Sequence, residues 1–161
     1  MSASHHSQEP LLDATFIRGL CRIFEEQIVF NTIIGLKVLS ILPDGVEGEI
    51  RMRPELIGHF SHQRLHGGVV SAGLDALGGL AVMAALGARH ADEPPEQRLQ
   101  RFNKLGTIDL RVDYLRPSKG DRFVLRADTL RLGSRVATTR MSFHGDDDRL
   151  LAVATGAYIV S

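Results

Sequence analysis

The chain has 161 residues, enough for one domain with a real core, and balances 19 Lys and Arg against 19 Asp and Glu. Zero net charge argues against nucleic acid or an anionic membrane as a partner, because both select a basic surface. A lone cysteine, Cys21, excludes a disulfide framework or a cysteine-based metal site within one chain, and suits a reducing cytoplasm.

No secretory signal is visible, and residues 1–10, which include Ser4, His5, His6 and Ser7, are expected to be a disordered tail before a single domain over 11–161. Residues 12–30 predict an amphipathic helix, with Asp13 as its cap and Phe16, Leu20, Ile23, Phe24 and Ile28 at helical spacing. Thr32 to Leu42 is β-rich, and Pro43-Asp44-Gly45 supplies the turn after it. Residues 46–53 alternate, with Val46, Gly48, Ile50 and Met52 on one side and Glu47, Glu49, Arg51 and Arg53 on the other, as in a half-buried antiparallel hairpin. The run from Gly67 to Ala88 is apolar and glycine-rich, and reads as a helix buried in a core. Its glycines and central Asp75 suit a membrane-spanning helix poorly. Residues 90–104 are charged, contain Pro94-Pro95 and predict a surface loop with room for a short helix. Strands follow at 107–115, where Ile108, Leu110, Val112 and Tyr114 oppose Thr107, Asp109, Arg111 and Asp113, and then at 122–132, 135–144 and 149–160.

This order predicts an α+β domain in which one antiparallel sheet wraps a long central helix, preceded by an N-terminal helix. The small residues Gly68, Ala72, Gly73, Gly78 and Gly79 would let the sheet close on that helix. Each interior glycine otherwise costs up to about 1 kcal/mol of helix stability.

Asp75 is the only charged residue between Gly67 and Ala88. Burying a lone carboxylate is expensive unless something compensates it, so a chain that keeps one in its most apolar helix is expected to use it. A carboxylate merely hydrogen-bonded to backbone or to a Ser or Thr is the structural alternative. Gly67-Gly68 at the helix start presents unpaired N–H groups and the positive end of the helix dipole, which suits an anion or a developing oxyanion. Ser71 lies four residues before Asp75, on the same face. His59, His62 and His66 are spaced as metal ligands can be, but further ligands are not well placed, so no metal is expected. Arg116, Lys119, Arg131, Arg135 and Arg140 cluster around the later turns. Among them Arg135 follows the flexible Gly133-Ser134 pair, where backbone could approach a phosphate. There is no nucleophile elbow, P-loop or dinucleotide fingerprint, and Cys21 lies mid-helix without a local activator.

Five ordered segments then carry a resemblance: Leu65-His66-Gly67-Gly68-Val69 with Asp75 nine residues after His66, Gly106-Thr107, Asp113-Tyr114-Leu115-Arg116-Pro117, Leu132-Gly133-Ser134-Arg135, and Ala154-Thr155-Gly156-Ala157-Tyr158. Over residues 30 to 160 the chain resembles the PaaI-type hotdog-fold acyl-CoA thioesterases, closest to the branch acting on medium- and long-chain acyl-CoAs. The resemblance implies a hotdog fold and a homodimer joined edge to edge, often paired again into a tetramer. Asp75 would come from one chain and the His66-Gly67-Gly68 turn from the other. It further implies that Asp75 activates a water or attacks directly, that Thr107 helps hold the water, and that the Gly67 N–H donates to the thioester carbonyl. Gly68, Ser71, Arg116, Gly133, Ser134 and Arg135 would contact substrate, with Arg135 on a CoA phosphate. No cofactor is implied, since CoA is part of the substrate.

One departure stands out. The family's Asn shortly before His-Gly-Gly is missing from Gly58-His59-Phe60-Ser61-His62-Gln63-Arg64, where His59 or Gln63 could substitute. Gly58-His59-Phe60 is also similar to the hotdog dehydratases, but their prolines are absent and Gly73 stands where their acid would be. A non-catalytic acyl-CoA binder would keep the pocket without needing an acid.

Overall fold

The computed structural model describes residues 11–161; the expected tail over 1–10 lies outside the described residues. Helix α1 (Ala14–Arg22) starts at Asp13, whose carboxylate accepts the Phe16 N–H at 2.9 Å. The single helix expected over 12–30 is instead broken. A π-helical turn (Ile23–Gln27) follows α1, Ile28 turns extended, and helix α2 (Val29–Ile34) sets off anew. The side chain of Asn31 sustains the break by donating to the Phe24 carbonyl at 2.9 Å. The strand expected from Thr32 is likewise shorter. Thr32 is helical, its hydroxyl bonded to the Val29 carbonyl, and Gly35 ends α2 at φ +72° before strand β1 (Lys37–Ile41). The β-branched run 32–34 suggested a strand, but that side-chain bond and a left-handed glycine cap accommodate it in a helix.

Strand β2 (Val46–Arg51) buries Val46, Gly48 and Ile50 as its alternation predicts. A short 3-10 turn leads to a hairpin of β3 (Ile57–His59) and β4 (Arg64–Leu65), then to the long helix α3 (Gly67–Arg89). Helix α4 (Pro95–Gln100) and a 3-10 turn occupy the expected loop. Strands β5 (Gly106–Tyr114), β6 (Arg122–Leu132), β7 (Val136–His144) and β8 (Leu150–Ile159) complete the chain.

Six strands form one antiparallel sheet in the order β1-β2-β6-β7-β8-β5, wrapped on α3 in the hotdog arrangement. Leu74, Leu77, Leu80 and Met83 of α3 are buried with Ile50, Phe123, Leu125, Met141, Phe143 and Tyr158 from the sheet. Each such side chain contributes roughly 1.5–3 kcal/mol when fully buried. Helix α3 is long and apolar enough to span a membrane by composition, yet most of it lies inside the wrapped core.

The glycines divide the work differently from expectation. A Cβ on Gly73 would lie 2.8 Å from Ile50 and Leu125, and one on Gly78 would lie 2.2 Å from the Tyr158 hydroxyl, so these two let the sheet close. Gly79 instead faces Leu105 and Phe24, and Gly68 faces its own helix cap at His66. On β5, a bulge between Thr107 and Asp109 throws Ile108 outward, 58% exposed, where alternation would have put it inside. Tyr114 is exposed as well.

Candidate active site

His66 caps α3. Its Nδ1 accepts the Gly68 N–H at 2.8 Å, and its carbonyl accepts the N–H groups of Val69 and Val70. The Gly67 N–H is thereby left as the first-turn donor without a partner among the described residues. Tyr114 fixes this peptide from β5, its hydroxyl donating to the Gly67 carbonyl at 2.8 Å. Gly67 borders a cavity shared with Arg64, Tyr114 and Arg116. The arrangement is a stiff turn with one N–H free to meet developing negative charge.

Asp75 is half-buried rather than sealed in the core, because it stands in the wall of a cavity between α3 and the sheet edge. Two cross-strand neighbours clasp it. Thr107 on β5 and Tyr158 on β8 pair in register, and the Thr107 hydroxyl donates to Asp75 Oδ1 at 2.8 Å while the Tyr158 hydroxyl donates to the Asp75 carbonyl at 3.0 Å. Burial, together with the nearby Asp75, pushes the Tyr158 phenol well above its ordinary range, so it acts as a fixed donor. Thr107 occupies one carboxylate oxygen and leaves Oδ2 able to take a proton from water.

This carboxylate stands at an apolar cavity of about 290 Å³ lined by Phe24, Ile28, Phe30, Phe102, Leu105 and Gly79 among others. The cavity exists because the helical break at Ile28 swings α2 beside the small-residue face Ala72, Asp75, Ala76 and Gly79. A mostly apolar pocket with Asp75, Thr107 and Tyr158 together in its wall, and Asn31 as its other polar side chain, suits an acyl chain whose reactive end stops at the carboxylate.

Within one chain Gly67 and Asp75 border two different cavities. Eight residues of helix separate them by about 12 Å, too far for both to reach one carbonyl.

The remaining expected residues scatter. Ser71 spends its hydroxyl on the Gly68 carbonyl at 3.1 Å. His59 is exposed, bonded to Ser61 at 3.1 Å, with its ring 4.7 Å from that of His62. Gln63 sits at φ +49° and donates its amide to the Phe60 carbonyl, so it is occupied in closing the hairpin turn. Arg116 donates to the Leu150 carbonyl at 2.9 Å and borders the Gly67 cavity. The Gly133-Ser134-Arg135 turn is tied by Arg89 to the far end of α3, through the carbonyls of Gly133 and Leu132. Fourteen residues of helix put that end about 21 Å from Asp75 in the same chain. Arg135 is exposed there, and within one chain it, Gly133 and Ser134 lie apart from both Asp75 and Gly67. Burial and the neighbouring Glu25 raise the Cys21 thiol, which leaves it a poor nucleophile.

Sequence reasoning missed the positioning tyrosines and the walls of the pocket. Tyr114 and Tyr158 lay inside segments already singled out, yet only three-dimensional pairing shows what their hydroxyls hold.

Residues 62–152 match the family described as the Thioesterase superfamily. Over 138 residues the chain is 33% identical to "Medium/long-chain acyl-CoA thioesterase YigI" of Escherichia coli, covering 86% of this chain and 89% of that protein. The Salmonella typhimurium protein of the same name is 35% identical over the same shares. Among solved structures, a Shewanella oneidensis protein related to the thioesterase superfamily aligns with TM-score 0.85 and 39% identity, covering 93% of this chain and all of the other (100%). A putative thioesterase from Syntrophus aciditrophicus aligns with TM-score 0.79 and 38% identity, over 90% and 95% of the two chains. The chain therefore belongs to the thioesterase superfamily, a family of thioester hydrolases with the hotdog fold.

Proposed function

We propose that the protein hydrolyses medium- or long-chain acyl-CoA to the free acid and CoA. The observation that carries this is the Asp75–Thr107 pair at the wall of an apolar cavity. The acyl chain enters that cavity with its carbonyl at the carboxylate. Asp75 Oδ2 takes a proton from water while Thr107 holds the other oxygen, and the hydroxide oxygen bonds to the carbonyl carbon. The Gly67 N–H of a second copy receives the oxyanion. When the carbonyl re-forms, the C–S bond breaks and CoA leaves as a thiolate, a good leaving group that needs little help from a general acid.

The separation of Gly67 from Asp75 along one helix supports a homodimer in which each site draws on both chains. The unpaired edge of β5, carrying exposed Ile108 and Tyr114, is the proposed seam. Such dimers can pair again, and a cytoplasmic site of action suits the substrate. Initial rates over acyl-CoAs of graded length, read by released thiol, test the function. Rates that peak at medium or long chains are expected, and no thiol release at any length would overturn the assignment.

A further inference from the structure

The cavity beside Asp75 holds one polar side chain that the hydrolytic chemistry does not use. Asn31 on α2 is 3% exposed and lines this space of about 290 Å³. Its amide nitrogen is spent on the Phe24 carbonyl at 2.9 Å, the bond that sustains the helical break. That bond accounts for the nitrogen and not for the oxygen. Oδ1 accepts nothing among the described residues, yet it is not sealed in protein. An open acceptor on an otherwise buried side chain thus faces the cavity.

Asn31 belongs to the wall formed by the N-terminal segment, across from the catalytic pair. Phe24, whose carbonyl it holds, meets Phe102 edge-on with ring centres 5.7 Å apart and faces Gly79, one helical turn beyond Asp75. The oxygen is therefore placed to read the acyl chain rather than the thioester carbonyl. Its surroundings of Ile28, Phe30, Phe102 and Leu105 are apolar, and no Lys, Arg or His lines the cavity among the described residues. Filling this space with a plain hydrocarbon chain strips water from Oδ1 and leaves it unpaired, which is the expensive side of hydrogen-bond exchange. A hydroxyl on the chain restores the bond by donating to it. A keto oxygen only accepts and would leave Oδ1 unpaired, and a carboxylate end would meet no cation.

We propose that Asn31 selects acyl chains that carry a hydroxyl group, which donates to Oδ1 inside the cavity. The proposal rests on the acyl-CoA reading above and narrows its substrate class to hydroxylated aliphatic chains. One residue then has two tasks: its nitrogen builds the pocket wall, and its oxygen reads what enters. Because the oxygen is fixed by the Phe24 bond, it favours a hydroxyl at one place along the chain and not at others.

The test compares octanoyl-CoA with its isomers carrying one hydroxyl at successive carbons from the third to the last, read by released thiol. In the wild type one isomer should exceed octanoyl-CoA in kcat/KM by about tenfold, since the plain chain leaves a buried acceptor unpaired. The analogue with fluorine in place of that hydroxyl has no O–H to donate, and should fall back to within about twofold of the plain chain. In Asn31→Leu the favoured isomer and octanoyl-CoA should react within about twofold of each other. That ratio is taken within one protein, so a displaced α2 that slows both substrates does not mimic the result. The fluorinated substrate needs no variant and decides the matter even if Asn31→Leu fails to fold. Binding of the corresponding non-hydrolysable CoA thioethers, with and without the hydroxyl, is measured by calorimetry on the wild type. Equal rates for all isomers, a fluorinated analogue as good as the alcohol, or a preference that survives in Asn31→Leu would each overturn the role of Asn31. Hydrolysis of every chain without preference sinks this inference alone. Tighter binding of the hydroxylated thioether with no thiol released from any thioester supports the pocket and sinks the hydrolase reading instead.

Discussion

Thr107 Oγ1 lies 2.8 Å from Asp75 Oδ1, a bond between the edge strand β5 and the central helix. It orients a carboxylate that would otherwise rotate freely at the wall of its cavity. Because Thr107 is paired in register with Tyr158, the side chain and the backbone of Asp75 are both fixed by one rung of the sheet.

Asp75→Asn keeps the shape and the acceptor for Thr107 but removes the base, so kcat should fall roughly a hundredfold or more. Thr107→Val should lower kcat by about tenfold, the equivalent of roughly 1.4 kcal/mol for one hydrogen bond. Thermal unfolding should move little for Asp75→Asn, within roughly 0.5 kcal/mol, because the side chain is only half-buried. Thiol release from Asp75→Asn at the wild-type rate would remove Asp75 from the mechanism.

Adjacent glycines should respond in opposite ways. Gly78→Ala drives a Cβ to 2.2 Å from the Tyr158 hydroxyl, so it should destabilise the fold by about 1–3 kcal/mol and disturb the Asp75 carbonyl that Tyr158 holds. Gly79→Ala meets Leu105 at 3.4 Å and Phe24 at 3.7 Å, ordinary contacts, and should be neutral or gain up to about 1 kcal/mol of helix stability. Gly79→Val fills the apolar cavity and should shift the preferred acyl chain shorter. Denaturant titration and the chain-length profile check the pair; equal stability losses at both positions would contradict this packing.

The N-terminal helix hangs on Asp13, which caps α1 and also pairs with the buried Arg98, 3% exposed, beneath which Phe16 stacks. Burial pushes the Asp13 carboxyl up, yet the Phe16 N–H and the Arg98 guanidinium together hold it below its unfolded value of 3.8. Its contribution is therefore complete above about pH 4 and fades as pH falls through the lowered folded pKa. Asp13→Ala should cost about 1–3 kcal/mol near neutrality, through a lost cap and a buried Arg98 left with only the Leu11 and Gly87 carbonyls. Asp13→Asn should keep most of the cap and flatten the acid limb of the stability curve. An unchanged acid limb would show that other carboxylates set it.

The sheet and its central helix were legible because their signals are periodic: alternation in 46–53, small residues along 67–88, and turns at Pro117 and Gly133. The break at Ile28 was not, since it rests on the Asn31 side chain reaching back seven residues to Phe24, a bond no propensity encodes. Asp75 and Gly67 stood out as chemical anomalies in the sequence. Their mutual distance did not, because it depends on which faces of α3 meet which cavities. Arg64 was overlooked in an unremarkable hairpin, and only the fold brings it to one cavity with Lys119 and Arg149.

Subunit sharing can be tested by complementation. Gly67 is the first residue of α3, and His66 before it is extended at φ −66°, ψ 134°, which is the conformation a following proline demands. Proline is well tolerated at this position and has no N–H, so Gly67→Pro removes the proposed oxyanion donor while keeping the helix start. The added ring faces Tyr114 at 3.4 Å from the Cβ, an ordinary contact. Gly67→Pro and Asp75→Asn should each be nearly inactive alone. If each site takes Asp75 from one chain and Gly67 from the other, a mixed dimer holds one intact site. Unfolding and refolding the two variants together should then restore about a quarter of the wild-type rate, since half the dimers are mixed and each has one working site of two. Sedimentation should show the same dimer before and after mixing. No recovery in a mixture of folded dimers would mean that both groups act within one chain or that Gly67 donates nothing.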